Sequence, residues 1–521
     1  MDKANNQQRS VTVRVNKSDA SNRMMRSKVA VELHLLPHDV LRDILSRLSL
    51  KQAVRMSLLS REWRRLRICP PDLVFTEETL FGSNTTTITD PESMAAEFLE
   101  SMNSEFITRV DNVLRASCST STMITASTVN KFVVKYGLGI YHKNHIDRWI
   151  DFSTASMAKH IGLDLRGDGF AGGKYVVPLR KLSGPNGSCV KSLDLAYVCV
   201  NLPASFRGIT NLNKLSLNMV SMDTHDLERL FFFSNTHDCI LLESLSLECC
   251  PLSSFSIRQE ICRLQYLSVR ECAVPTIQLQ APNLTTFKFA DDCVTQIVLR
   301  ESSKLSEATV VFKNMRYNRC SDAFNYILNE LPTSLPCMQK LFLHLVIDYE
   351  VKKFSKTNTT FINLWHLNLN IIVRHDPEDV SWVIGFIYLL ESAPLLEELE
   401  LQIDYDRFVD PDPTRIVKAV PGPVHRHLRS VHITGFCDLV GIAELSLYIL
   451  GNAIVLERMV VDPVVWMDCG YTYTGQLYSV SKVGSYQEFA RPRFTKEELR
   501  NRKFAKRHLN RKEFRHILTI L

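Results

Sequence analysis

Residues 242–250 read Leu-Glu-Ser-Leu-Ser-Leu-Glu-Cys-Cys, and residues 264–272 read Leu-Gln-Tyr-Leu-Ser-Val-Arg-Glu-Cys. Both put apolar residues at the first, fourth and sixth positions: Leu242, Leu245 and Leu247, then Leu264, Leu267 and Val269. Alternation of the last two with polar residues is the period of a strand with one buried face. The triplet recurs upstream at Val190-Leu193-Leu195 and Leu212-Leu215-Leu217, and downstream at Leu284-Phe287-Phe289 and Met338-Leu341-Leu343. It continues at Leu364-Leu367-Leu369, Leu396-Leu399-Leu401, Leu428-Val431-Ile433 and Leu456-Met459-Val461. Weaker copies stand at Val129-Phe132-Val134 and Leu305-Ala308-Val310. Starts from Val190 onward fall roughly 20 to 33 residues apart. A strand this short buries its face only against its neighbours, so stacked copies predict a parallel ladder with leucines inward.

That period brackets the leucine-rich repeat with insertions. One solenoid then replaces the three or four domains that 521 residues would otherwise suggest. A hydrophobic content of 45% supplies a core, and a net charge of +6 is mild for this size, which does not argue for a nucleic-acid partner. The opening MDKANNQQRSVTVRVNK has no apolar core of a signal peptide, and Val380–Leu390 falls short of a membrane span. The fourteen cysteines are scattered, without paired metal spacing, and read as reduced thiols. Cys250 and Cys272 occupy the small-residue position three after the second strand leucine, so they predict buried structural groups. Cys199, Cys293 and Cys437 fall one residue later in their repeats.

A different pattern runs from Leu36 to Phe75: LPHDVLRDILSRLSLKQAVRMSLLSREWRRLRICPPDLVF. Pro37 suits the first turn of a helix, where its missing N–H falls among unpaired donors. Val40, Leu41, Ile44, Leu45 and Leu48 form one apolar stripe at helical spacing. Ser49 and Gln52 have capping-box spacing, opening a second helix with Val54 and Leu58 on its apolar face. Ser60 caps a third, with Trp63 and Leu66 on one side. About 40 residues rarely make a self-sufficient core, so part of this stripe must be covered. Periodicity alone leaves open a helical hairpin inside the protein's own core. The order of residues resembles an F-box: Leu36-Pro37, Asp39-Val40-Leu41, Ile44-Leu45, Leu48, Val54, Ser57-Leu58-Leu59-Ser60 and Trp63. That resemblance implies docking onto a Skp-type adaptor of a cullin–RING ubiquitin ligase. It implies adaptor contacts from Leu36, Pro37, Val40, Ile44, Leu45, Leu48, Leu58 and Trp63.

Further landmarks resemble plant F-box/LRR-repeat proteins. Asp147-Arg148-Trp149-Ile150 is similar to the helix that opens their repeat region. Leu389 to Leu399, with Ala393-Pro394 inside it, resembles the signature of the FBD type, and Gly435-Phe436 and Leu450 to Met459 resemble its C-terminal part. The expected fold is mixed α/β: a three-helix F-box followed by an irregular solenoid whose strands form a parallel ladder, with helices and loops on the convex side. The expected divisions are a basic disordered tail at 1–33, the F-box at 34–75, and a linker with an amphipathic helix at 76–128. The solenoid follows at 129–462, then an FBD-like basic region at 463–521. Phe98, Met102, Phe106, Val110 and Leu114 mark the amphipathic helix, and Phe504 to Leu509 with Ile517 to Leu521 a closing helix and strand.

No motif in the sequence carries catalytic chemistry. Gly167-Asp-Gly169-Phe-Ala-Gly172 fits a dinucleotide fingerprint, but the following Lys174-Tyr-Val-Val-Pro178 reads as extended where a helix is needed. His425-Arg-His427 lacks carboxylate or thiol companions, so no metal is expected. The sequence expects a non-catalytic receptor without cofactors, cytoplasmic or nuclear. The partners that the resemblance implies are the adaptor, cullin and RING subunits through it, and a protein target on the solenoid, with no membrane or nucleic acid expected. The alternatives are an interaction scaffold without ubiquitin transfer and a small-molecule co-receptor.

Overall fold

A computed structural model describes Gln52 and residues 71–82, 96–118, 129–167, 173–183, 189–203, 206, 208–231, 241–292, 294–312, 320–347, 359–373, 381–405, 417–418, 420–464 and 495–521. The F-box stretch therefore lies outside the described residues, apart from Gln52 and the end of its 34–75 range.

The chain enters the ladder earlier than its repeats indicate. Strand β1 (Asp72–Thr76) is followed by a short helix α1 (Glu77–Phe81) and a long helix α2 (Ala96–Cys118). Then come β2 (Lys131–Lys135), α3 (Lys143–Ala155), β3 (His160–Asp164), β4 (Tyr175–Val176), β5 (Ser192–Ala196), β6 (Val198–Cys199) and β7 (Lys214–Asn218). Helix α4 (Thr224–Phe231) leads to β8 (Ser244–Glu248), β9 (Phe255–Glu260), β10 (Tyr266–Arg270), β11 (Thr276–Gln280), β12 (Thr286–Asp291), β13 (Gln296–Arg300) and β14 (Glu307–Phe312). The rest is α5 (Cys320–Asn329), α6 (Leu331–Ser334), β15 (Lys340–Ile347), β16 (His366–Val373), α7 (Ser381–Glu391), β17 (Glu398–Tyr405), β18 (Ser430–Thr434), α8 (Ile442–Asn452) and β19 (Arg458–Asp462). Helix α9 (Lys496–Leu509) and β20 (Leu518–Ile520) close it.

Fifteen of these strands make one sheet in sequence order, β1-β2-β3-β5-β7-β8-β10-β12 and then β14 to β20, and each neighbouring pair is parallel. Every triplet read from the sequence contributes one rung, the two weak copies included. Register keeps the leucines in file: Leu245 stands beside Leu215 and Leu267, and Leu247 beside Leu217 and Val269. A one-residue slip would turn every leucine of a rung to the other face, so the buried face pins the register. Leu215, Leu245, Leu267, Phe287, Leu343 and Leu367 are fully buried.

Repeat length selects what covers the leucine face. Rungs β8, β10, β12 and β14 start at Ser244, Tyr266, Thr286 and Glu307, which leaves about 15 residues between strands. That is too little for a helix of several turns with its two connections at 1.5 Å rise per residue. The connections instead carry β9, β11 and β13, which form a second, three-stranded parallel sheet. From β15 onward the connections lengthen, and α7 and α8, each of 11 residues, fill them. The apolar run at Val380–Leu390 is thus largely helix α7, in which Val383 and Leu389 are fully buried. Among the described residues no helix is long and apolar enough to cross a membrane.

The turn off the ladder is also shared. Tyr197, Met219, Cys249 and Glu271, each the first residue after its strand, have φ between 50° and 57°. Left-handed backbone is costly for residues other than glycine. Here each N–H donates to the last carbonyl of the next rung, as Cys249 does to Arg270 at 2.9 Å. The twist drops the following residue into the core: Val198, Val220, Cys250 and Cys272 are all buried. Cys199 and Cys437, one residue further on, are half-buried, and Cys293 lies outside the described residues.

Candidate functional site

Alternation leaves the residues between the leucines on the open face of the sheet, away from the helices. In β16 to β18 this face holds a polar cluster. His366 Nδ1 lies 3.7 Å from Glu398 Oε2, and His366 Nε2 lies 3.5 Å from Glu400 Oε1. At 3.5 Å the second contact is too long for a good hydrogen bond, and Nε2 is buried without a hydrogen-bond partner. The Asn368 amide donates to Glu400 Oε2 at 2.6 Å. Contact with His366 holds the Glu400 carboxyl below its ordinary value against burial, with His432 and Asn368 assisting. His432, on the next strand but one, is kept neutral because burial lowers its pKa more than Asp462 and Glu400 raise it. Its Nε2 is likewise buried without a hydrogen-bond partner. A neutral imidazole atom left in that state on an open face is a point where an incoming polar group gains a bond.

A second patch spans β7, β8 and β10. Glu248 accepts from Asn218 Nδ2 at 2.5 Å and pairs with Arg270 at 3.4 Å, so one carboxylate ties three rungs. Beside it the floor is small: Ser216, Ser246 and Ser268 follow one another across the ladder. Aromatic rings flank the middle of the face, with Lys288 over Tyr266 and Lys340 over Trp365. None of these groups was singled out by the repeat pattern. They are the unspecified positions within each triplet, and only the register shows which of them become neighbours.

The residues weighed for chemistry are structural. Cys250 Sγ lies 3.4 Å from the Glu248 carbonyl and Cys272 Sγ 3.2 Å from the Arg270 carbonyl. Contact with the Cys250 sulfur, and burial, push the Cys272 thiol well up. Among the described residues no group of three or more His, Cys, Asp or Glu is placed to hold a metal ion. His425 Nε2 meets the Tyr448 hydroxyl at 2.7 Å, which fastens a loop to α8. Gly167 sits against Gly137, where an added Cβ on Gly137 would lie 2.6 Å from Gly167 Cα, so packing explains this glycine. The segment after the glycines is β4, paired with β6, and not a helix. Gly169 and Gly172 lie outside the described residues. So do Leu36, Pro37, Val40, Ile44, Leu45, Leu48, Leu58 and Trp63.

Comparison with known families follows the same division. Residues 126–485 match the family described as At1g61320/AtMIF1, LRR domain. The chain belongs to this leucine-rich-repeat family. Residues 33–66 match the F-box domain, which makes the chain a plant-type F-box/LRR protein. It is 23% identical over 391 residues to the Putative F-box protein At3g29830 of Arabidopsis thaliana, covering 71% of this chain and 76% of the relative. It is 22% identical over 373 residues to the F-box/FBD/LRR-repeat protein At1g13570 of Arabidopsis thaliana, covering 70% and 74%. A further relative, the Putative F-box/FBD/LRR-repeat protein At4g03220 of Arabidopsis thaliana, is 26% identical over half of each chain.

Proposed function

We propose that this F-box/LRR protein is the substrate-recognition subunit of a Skp–cullin–F-box ubiquitin ligase. The observation that carries the reading is the order of parts, an F-box match at 33–66 directly ahead of the repeat solenoid. Leu36, Pro37, Val40, Ile44, Leu45, Leu48, Leu58 and Trp63 dock a Skp-type adaptor. The open face of the ladder binds a protein target, with His366, Glu400 and His432 among its contacts. The chain works in the cytoplasm or nucleus and contributes proximity: a fixed scaffold raises the effective concentration of a target lysine at the charged conjugating enzyme. Ubiquitin chemistry belongs to the cullin–RING machinery. The test is affinity purification of the full chain from plant cells. Skp-type, cullin and RING subunits should co-purify; recovery of the chain with none of them overturns the reading.

A further inference from the structure

Within the solenoid, positive charge gathers at one end. The sequence has 62 Lys and Arg against 56 Asp and Glu, a difference of +6. Residues 1–70 have 15 against 6, or +9, residues 71–494 have 38 against 47, or −9, and residues 495–521 have nine against three, or +6. This segment is the terminal cap. Strand β20 pairs with β19, and α9 turns Asn501, Ala505 and Leu509 inward. Phe504 packs 6.2 Å from Phe436.

The other side of α9 faces solvent. Lys496, Arg500, Lys503 and Arg507 are all exposed and follow one another at helical intervals. They form a single stripe about 16 Å long. The acids of the cap are engaged locally: Glu498 accepts from the Thr495 N–H in a capping box, and Glu497 and Glu513 lie 4.0 Å from Arg500 and Arg511. A terminal repeat needs a polar outer face for solubility. Any mixture of polar residues meets that need, so it does not explain a +6 excess of one sign in the cap of a solenoid whose residues 71–494 are net negative. Leu499, 43% exposed, sits between Lys496 and Lys503 on the same face.

We propose that this face of the C-terminal cap docks an acidic amphipathic segment of a partner protein. Carboxylates meet the cationic stripe and an apolar side chain covers Leu499. Single-stranded nucleic acid fits the face less well, because base stacking needs exposed rings. Phe504 is turned in against Phe436 and His508, and Phe514 packs against the core. The proposal does not rest on the F-box reading.

The experiment uses the full chain and fluorescence anisotropy with four probes. These are a peptide of repeating Glu-Glu-Leu-Glu, poly-glutamate, an oligouridine, and phosphatidylserine vesicles. The Leu-containing peptide should saturate, and Lys496→Glu with Arg500→Glu and Lys503→Glu should weaken it at least about tenfold. The same reversal at exposed Lys159, Lys191 and Lys304, away from the cap, should leave it unchanged. Leu499→Asn should weaken the Leu-containing peptide and not poly-glutamate, a comparison that stands even if the triple variant unfolds. Failure to saturate, equal loss in the control variant, or tighter binding of oligouridine or vesicles overturns the proposal.

Discussion

The indole N–H of Trp149 donates to Asp111 Oδ1 at 2.8 Å, and this bond fastens the long helix α2 onto α3. Asp111 Oδ2 also accepts from Arg148 Nη2 at 2.9 Å. Nearby, Phe106 of α2 stacks on Tyr136 with ring centroids 3.9 Å apart. Asp111→Ala therefore leaves a buried indole donor and a cation without their acceptor. We expect a loss of about 2–3 kcal/mol, felt locally in α2 rather than through the whole ladder. Asp111→Asn, which keeps an acceptor for Trp149, should lose less. Hydrogen-exchange protection of α2 is the readout; unchanged protection in Asp111→Ala would show that ring packing alone holds the helix.

Gly441 opens α8 at φ 104°, and a Cβ there would lie 2.6 Å from three atoms of the Trp382 ring. The ring is fixed, since Trp382 Nε1 donates to the Val440 carbonyl at 2.8 Å. Backbone strain and a clash with an immobile ring act together, so Gly441→Ala should cost about 1–3 kcal/mol or more. Its melting temperature should fall well below that of Gly451→Ala, where an added Cβ meets nothing within 4 Å. Equal effects would remove the steric account.

Much of this architecture was legible because a strand ladder writes its register into the sequence. Each leucine triplet became a rung, and the run Phe106, Val110, Leu114 became the buried side of α2. The two end rungs were harder to read. In β1 the first apolar position is Pro70, and β20 is a strand of three residues. The switch between strand and helix over the leucine face follows from repeat length, which no single repeat displays. The open face was least legible, since Glu400 and His366 become partners through register across strands about 30 residues apart.

Cys250 and Cys272 should behave as packing groups. Both are almost wholly buried, at 1% and 3% exposure. Cys250→Ser and Cys272→Ser each put a more polar atom into a small apolar site, at a cost of about 1 kcal/mol. Denaturant melts measure that cost. Stoichiometric zinc in the purified protein, lost in either variant, would refute the structural assignment.

Acid should weaken the C-terminal repeats. Burial lowers the pKa of His425, and burial raises that of Tyr448, so a neutral phenol meets a neutral imidazole. The unfolded chain then takes up a proton before the folded one as pH falls. Stability is full above the unfolded value of about 6.5 and is lost as pH drops below it toward the folded value. His142, His160 and His432 are shifted the same way, each first by burial, and add to the slope. The melting temperature should fall from neutral to mildly acid pH, and His425→Gln should flatten part of that fall. A pH-independent melt would contradict the burial argument.

The F-box anchors should govern assembly without supporting the ladder. Their apolar stripe exceeds what a module of about 40 residues can bury, and interface energy concentrates in a few desolvated anchors. Leu36→Ala with Pro37→Ala should weaken adaptor binding at least about tenfold, on the order of 1.4 kcal/mol. Ile44→Ala should do the same, partly through local packing, since large-to-small core changes cost about 2–5 kcal/mol. Trp63→Ala is expected to be mixed, since the sequence pattern puts Trp63 on the apolar side of its helix and the F-box resemblance puts it at the adaptor. The repeat region should melt unchanged in all of them, since each repeat is held chiefly by its neighbours. Adaptor pull-down beside a melting curve separates the two effects. Full adaptor binding by the double variant and by Ile44→Ala would leave an interaction scaffold in place of a ligase receptor.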